Sequence, residues 1–153
     1  MREINEIIIH CSDTQEGCDV TAADIRRWHM TPVEKGGRGW RDIGYHYVID
    51  LDGTIEAGRP VERVGAHCIG RNGEDHNSKS IGICYIGGRR MLGDGRWEWA
   101  DTRTKAQREA MYNLVCLLLS TYKGARVYGH RDFAARACPC FDVQQWLREE
   151  KII

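Results

Sequence analysis

A histidine and a cysteine eight positions apart, His130 and Cys138, lie between a predicted strand and a predicted helix near the end of the chain. A second histidine, His10, ends the apolar run 7–9, which predicts a short buried strand. Two imidazoles and one thiolate are a ligand set that suits tetrahedral zinc. Three protein ligands leave one coordination position for water, which is typical of a catalytic metal site. Cys140 lies two residues after Cys138 and stays open as an alternative ligand.

The charge balance of the chain argues against one broad class of function. The 153 residues include 22 basic and 22 acidic side chains, so the formal net charge is zero. Such a chain lacks the long-range positive field of a dedicated nucleic-acid-binding protein. Its apolar runs fall well short of the roughly 20 residues that span a bilayer. We therefore expect neither a nucleic-acid partner nor insertion into a membrane.

Local patterns predict a central mixed β-sheet flanked by helices, an α/β (α+β) single domain over residues 1–153. Capping boxes at Thr21/Asp24 and Thr104/Gln107 predict two helix starts, and Asp142 predicts a third. The remaining predicted elements are strands at 7–10, 45–50, 54–57, 64–67, 81–86 and 126–128, a long helix at 105–122, and a looped-out segment at 87–103.

Three further histidines receive structural or solvent-facing roles from their surroundings. His46 follows Tyr45 in a predicted strand, so a regular strand would turn the two side chains to opposite faces. His29 follows Trp28 on a predicted helix and is expected to be a packed surface histidine. His76 lies in a polar segment and is expected to be solvated.

Several segments of the chain together carry a resemblance to a known family. They are Ile7-Ile8-Ile9-His10-Cys11-Ser12, Asp42-Ile43-Gly44-Tyr45-His46-Tyr47, Val64-Gly65-Ala66-His67, Asn77-Ser78-Lys79-Ser80-Ile81-Gly82-Ile83 and the stretch from Gly129 to Asp142. In this order and at these spacings the chain resembles the zinc-dependent N-acetylmuramoyl-L-alanine amidases of the phage T7 lysozyme type, whose fold peptidoglycan recognition proteins share. The resemblance covers nearly the whole chain.

The resemblance implies one zinc ion per chain, with His10, His130 and Cys138 as its ligands. It places the active-site tyrosine of the family at Tyr45. Two residues before Cys138 the T7-type members commonly carry a catalytic lysine, and this chain has Arg136. An arginine can stabilise a developing oxyanion, but it stays protonated and cannot donate a proton as a lysine can. His67 is expected to lie beside the metal ligands or against the substrate.

The function implied is hydrolysis of the amide between N-acetylmuramic acid and L-alanine in peptidoglycan, by an endolysin of a phage or prophage or by a host autolysin of the same type. The N-terminus lacks a secretory h-region, so we expect a protein that is made in the cytoplasm and acts on the cell wall after release. We also expect a monomer. Two alternatives without catalysis stay open: a peptidoglycan-binding module, and a regulator that binds RNA polymerase, as T7 lysozyme does. A fourth hypothesis is a hydrolase with Cys138 as nucleophile and His130 as base.

Overall fold

The computed structural model describes residues 2–153. In chain order its elements are β1 (Glu6–Cys11), β2 (Thr14–Gln15), α1 (Ala22–Met30), β3 (Tyr47–Ile49), β4 (Ile55–Ala57), β5 (Ser80–Tyr85), β6 (Gly88–Gly93), β7 (Arg96–Trp99), α2 (Lys105–Thr121), β8 (Arg126–Gly129) and α3 (Val143–Glu149). Within this part of the chain, no helix has the length and apolarity needed to cross a bilayer.

A mixed five-stranded sheet with the order β4-β3-β5-β1-β8 forms the centre of the fold. β1 pairs in parallel with both β5 and β8, β3 pairs in parallel with β5, and β4 pairs antiparallel with β3. Ile7, Ile8 and Ile9 of β1 are completely buried because helices cover both faces of the sheet. This architecture confirms the predicted fold class.

The two faces of the sheet pack against different helices. Ile7 and Ile9 pack with Met111 of α2 and Leu147 of α3 in the larger apolar cluster. The other face packs against α1 through a smaller cluster that includes Cys84 of β5 and Ile25 of α1. His10 is in register with Cys84 on the parallel neighbour, and strand alternation therefore places it on the α1 side.

The local capping signals correctly predict the three helices. Thr21 and Asp24 form the capping box of α1, and Thr104 and Gln107 form that of α2. Asp142 accepts a hydrogen bond from the backbone N–H of Gln145 at the start of α3. The predicted β3–β4 hairpin is also confirmed, with shorter strands than expected.

Residues 87–103 do not loop out as predicted. They contain the antiparallel hairpin β6–β7, which joins β2 in a second, three-stranded sheet. Its turn contains Asp94 at φ 54° and Gly95 at φ 75°, the left-handed pair that a tight hairpin turn of type I′ requires. Most side chains of this hairpin are exposed, so the alternation of apolar and polar residues that reveals a half-buried strand is missing.

The strand predicted at residues 64–67 is also wrong. The backbone N–H of Ala66 donates to the carbonyl of Gly44, and the N–H of His67 donates to Oδ1 of Asn77. A side-chain amide thus replaces the neighbouring strand as hydrogen-bond partner, and the segment stays irregular.

Candidate metal centre

His10, His130 and Cys138 come together at one edge of the central sheet. One potential ligand atom from each lies within 4.8 Å of the others. His10 lies near the carboxyl end of β1 and His130 directly follows β8, the parallel neighbour of β1. The chain then turns back, with the N–H of Arg131 donating to the carbonyl of Cys138 at 2.8 Å. Parallel pairing of β1 with β8 therefore places His10 and His130 close together, and the turn between Arg131 and Cys138 brings the thiol of Cys138 next to them.

The protonation states of the two histidines suit metal binding. Burial, followed by the charges of His67 and His130, lowers the pKa of His10 well below its ordinary value. Burial, followed by the positive charge of Arg136, lowers the pKa of His130 to about 4. Both imidazoles are therefore neutral at pH 7, the form that ligates metal ions. Two neutral imidazoles and a thiol fit zinc by donor type.

Cys140 has a different environment from Cys138. Sγ of Cys138 accepts a hydrogen bond from the backbone N–H of Cys11 at 3.2 Å. Sγ of Cys140 lies 3.8 Å from Sγ of Cys11 and 3.6 Å from the carbonyl oxygen of Gly88. The three-residue cluster contains Cys138, and Cys140 lies outside it.

His67 lies directly against His10. Nδ1 of His67 is 2.8 Å from Nε2 of His10, and Nε2 of His67 is 3.1 Å from Oγ of Ser80. A glycine under the ring makes this position available, because a Cβ on Gly82 would come within 2.8 Å of the imidazole. The hydrogen bond from its N–H to Asn77 fixes the backbone of His67.

Tyr45 stands on another side of His10. Its ring centroid is 5.1 Å from that of His10 and 5.7 Å from that of His29. Burial, followed by the nearby thiols, raises the pKa of Tyr45 well above its ordinary value. The phenol therefore keeps its proton at neutral pH and can act as a hydrogen-bond donor.

Tyr45, His67, His130 and Cys138 line a cleft of about 670 Å³. Arg136 also lines it, and its charge lowers the pKa of His130. The sequence patterns did not assign several residues of the cleft wall to the site, namely Trp28, His29, Arg38, Trp40 and Trp99. Two of these residues lie on α1 and one on the β6–β7 hairpin, and no local motif identifies either element as part of the site.

The predictions for His29 and His76 need refinement and correction, respectively. His29 is half-buried in the cleft wall, and its Nδ1 accepts from the N–H of Gly44 at 2.9 Å. His76 is wrongly predicted as solvated: it is 2% exposed, 2.8 Å from Oε1 of Glu6 and stacked on Phe133. A partner 70 positions away in the chain thus buries it.

His46 has the structural environment expected, and both it and Tyr45 lie near His67. It is buried, and its Nδ1 accepts from the N–H of Gly82. Its ring centroid is 5.9 Å from that of His67, and that of Tyr45 is 6.4 Å from His67. Tyr45 and His46 precede β3, which begins at Tyr47, so the prediction from a regular strand does not apply to them.

Comparisons with known proteins identify the family of this chain. The family model for N-acetylmuramoyl-L-alanine amidase matches residues 1–141. The endolysin of Klebsiella phage KP32 is 37% identical over 152 residues, which cover 99% of this chain and 91% of the relative. The endolysin of Escherichia phage T7 is 37% identical over 147 residues, which cover 96% and 87% respectively.

Solved structures show the same fold. The N-acetylmuramoyl-L-alanine amidase LysC from Clostridium intestinale superimposes with a TM-score of 0.72 at 25% identity, covering 98% of this chain and 87% of that one. Bumblebee PGRP-SA superimposes with a TM-score of 0.71 at 29% identity, covering 97% and 82%. The family match spans most of the sequence and both phage relatives match nearly all of it, so this chain belongs to the N-acetylmuramoyl-L-alanine amidase family.

Proposed function

We propose that this chain is a zinc-dependent endolysin that hydrolyses the amide between N-acetylmuramic acid and L-alanine in peptidoglycan. The observation that carries the proposal is the cluster of His10, His130 and Cys138, two of which, His130 and Cys138, line the cleft. Membership of the amidase family supplies the reaction class, and the phage endolysins supply the biological role.

His10, His130 and Cys138 are the residues that would hold the zinc ion. When bound by three protein ligands, zinc lowers the pKa of a water molecule to about 7 and polarises a carbonyl group. The neutral imidazoles and the hydrogen-bonded thiol provide the donors for it. The remaining catalytic functions fall to the side chains around this cluster.

Tyr45 and Arg136 stabilise the negative charge that develops on the carbonyl oxygen of the amide. The protonated phenol of Tyr45 donates a hydrogen bond, and the guanidinium of Arg136 contributes a fixed positive charge. Because arginine does not release its proton, the leaving amine must take its proton from another donor. His67 orients the ring of His10 through their hydrogen bond.

We propose that the protein is made in the cytoplasm, as one domain that functions as a monomer, and reaches the peptidoglycan when the cell membrane opens. A binding module that holds peptidoglycan without cleaving it is the less favoured hypothesis, because all three ligands are retained. The RNA polymerase partner stays an untested hypothesis.

The test of zinc dependence compares chelated and zinc-restored protein on purified peptidoglycan. We expect chelation to abolish the loss of turbidity and stoichiometric zinc to restore it. A hydrolase that uses Cys138 as its nucleophile would survive chelation and would lose activity with a thiol-alkylating reagent. Activity that persists in the fully metal-free protein would overturn the zinc assignment.

A further inference from the structure

The β6–β7 hairpin presents two tryptophans to solvent. Trp97 and Trp99 alternate with charged residues along β7, so they share one face of the hairpin. Their rings meet edge to face at 4.9 Å, and the residues are 37% and 45% exposed. Large aromatic side chains exposed as a contiguous patch often mark a binding surface.

The hairpin is continuous with the cleft that holds the metal cluster. Trp99 lines the cleft together with Asp13 and Cys138. Asp13 forms an ion pair with Arg89 of β6, and β2, which follows Asp13, pairs with β6. The tryptophan face is therefore anchored close to the end of β1, and Trp99 joins it to the wall of the cleft.

The charge on this surface is largely compensated. The guanidinium of Arg89 lies 4.1 Å from the ring centroid of Trp97 and bonds to Asp13. A ligand that meets the tryptophans thus encounters aromatic rings beside a neutralised cation. Indole faces pack well against the C–H faces of sugar rings, and the indole N–H can donate to a sugar oxygen. A carboxylate-bearing peptide gains little from such a surface.

We propose that Trp97 and Trp99 form a binding platform for the glycan strand of peptidoglycan. This inference rests on the proposed function, in which the scissile amide joins a sugar to a peptide. When that amide lies at the metal cluster, the glycan strand and the peptide must both extend out of the cleft. The sugars next to the reacting muramic acid stack on Trp99 and then on Trp97. The platform selects polymeric glycan over a single sugar carrying the same peptide.

The first test measures binding of a β-1,4-linked N-acetylglucosamine tetramer, which contains no muramoyl–alanine bond. In nitrogen-15 NMR titrations, we expect the indole N–H signals of Trp97 and Trp99 to shift, whereas the buried Trp146 serves as an internal reference. Trp99→Ala should weaken binding by roughly tenfold, a change of about 1.4 kcal/mol. Tyr112→Ala removes an exposed aromatic residue from α2 and is the matched control.

The wild-type titration needs no variant, so the proposal stays testable if Trp99→Ala fails to fold. Absence of shifts at Trp97 and Trp99 at millimolar tetramer would overturn it, as would equal affinities for wild type and a folded Trp99→Ala protein. The catalytic test compares kcat/KM for glycan chains and for a single muramyl peptide, and we expect Trp99→Ala to reduce their ratio. If the protein binds the tetramer but cleaves neither substrate, the proposed function is refuted and the binding platform is not.

Discussion

His10 and His67 are joined by a hydrogen bond of 2.8 Å between Nε2 of the former and Nδ1 of the latter. Ser80 contacts the other nitrogen of His67. Both hydrogen bonds form when Nε2–H of His10 donates to Nδ1 of His67 and Nε2–H of His67 donates to Oγ of Ser80. That arrangement leaves Nδ1 of His10 with a free lone pair. Metal-binding histidines commonly donate their second N–H in this way, which fixes the ring orientation.

Replacement of His67 by alanine should weaken zinc binding by about 10- to 100-fold, the range typical of such supporting residues. The reason is that His10 loses its orienting acceptor while keeping its own ring. Competition with a colorimetric chelator measures the zinc affinity, and Ser80→Ala should show a smaller effect. An unchanged zinc affinity combined with a higher KM would move His67 to the substrate side of the cleft.

Cys138→Ser should abolish stoichiometric zinc binding and activity, whereas Cys140→Ser should retain both. Cys138 belongs to the cluster with the two histidines, and Cys140 contacts Cys11 instead. Elemental analysis after dialysis against zinc, with circular dichroism to verify folding, distinguishes the two variants. Zinc loss in Cys140→Ser with retention in Cys138→Ser would reverse the assignment of the thiol ligand.

Tyr45→Phe should retain zinc and lower kcat by roughly 100-fold, the size of effect seen when one donor to an oxyanion is removed. The variant preserves the ring that packs beside His10 and deletes only the hydroxyl group. Steady-state kinetics on a muramyl peptide, with zinc content determined on the same samples, provides the measurement. A kcat equal to that of wild type would remove Tyr45 from the mechanism.

Arg136→Ala should lower kcat by about 10- to 100-fold, because it removes a fixed positive charge from the site. Arg136→Lys restores a charge and adds a group that can release a proton, so its kcat should match or exceed that of wild type. The pH profiles of the two active proteins should differ on the alkaline side. Full activity in the alanine variant would show that Arg136 is only a surface charge.

Ionisation of Asp50 should make the protein less stable as the pH rises from about 4 to 7. Burial, followed by its contact with Glu56, raises the pKa of Asp50 from 3.8 to about 7. The folded state therefore binds more protons than the unfolded state in this window, and the free energy of unfolding falls as the pH increases. Asp50→Asn cannot ionise, so its stability relative to wild type should improve above pH 7 and show least gain near pH 4.

Urea unfolding from pH 4 to pH 8 tests this expectation. Asp52→Asn is the matched control: hydrogen bonds with Thr54 lower the pKa of this exposed carboxyl group, so its removal should bring no such gain. A constant difference between wild type and Asp50→Asn across the whole range would contradict the role of Asp50.

The sequence predicts those parts of the site that depend on local signals or on strand order. The capping boxes of α1 and α2 are complete within four residues each, and the apolar run of β1 ends next to His10. The spacing of His130 and Cys138 marks a candidate metal-binding turn without knowledge of the fold. Such features need no information about distant parts of the chain.

Features that depend on distant partners could not be predicted in this way. His76 is buried by Glu6 and Phe133, neither of which lies near it in the sequence. Trp99 enters the cleft because β6 pairs with β2, whose two residues are too short to give a periodic pattern. The position of Tyr45 follows from an irregular entry to β3 that strand alternation does not describe.

Mass spectrometry of purified peptidoglycan, digested with the zinc-loaded protein beside a chelated control, identifies the bond that is cleaved and its dependence on zinc. We expect free stem peptides that begin at L-alanine, formed only when the metal is present. Intact muropeptides after digestion with protein shown to contain zinc would contradict it.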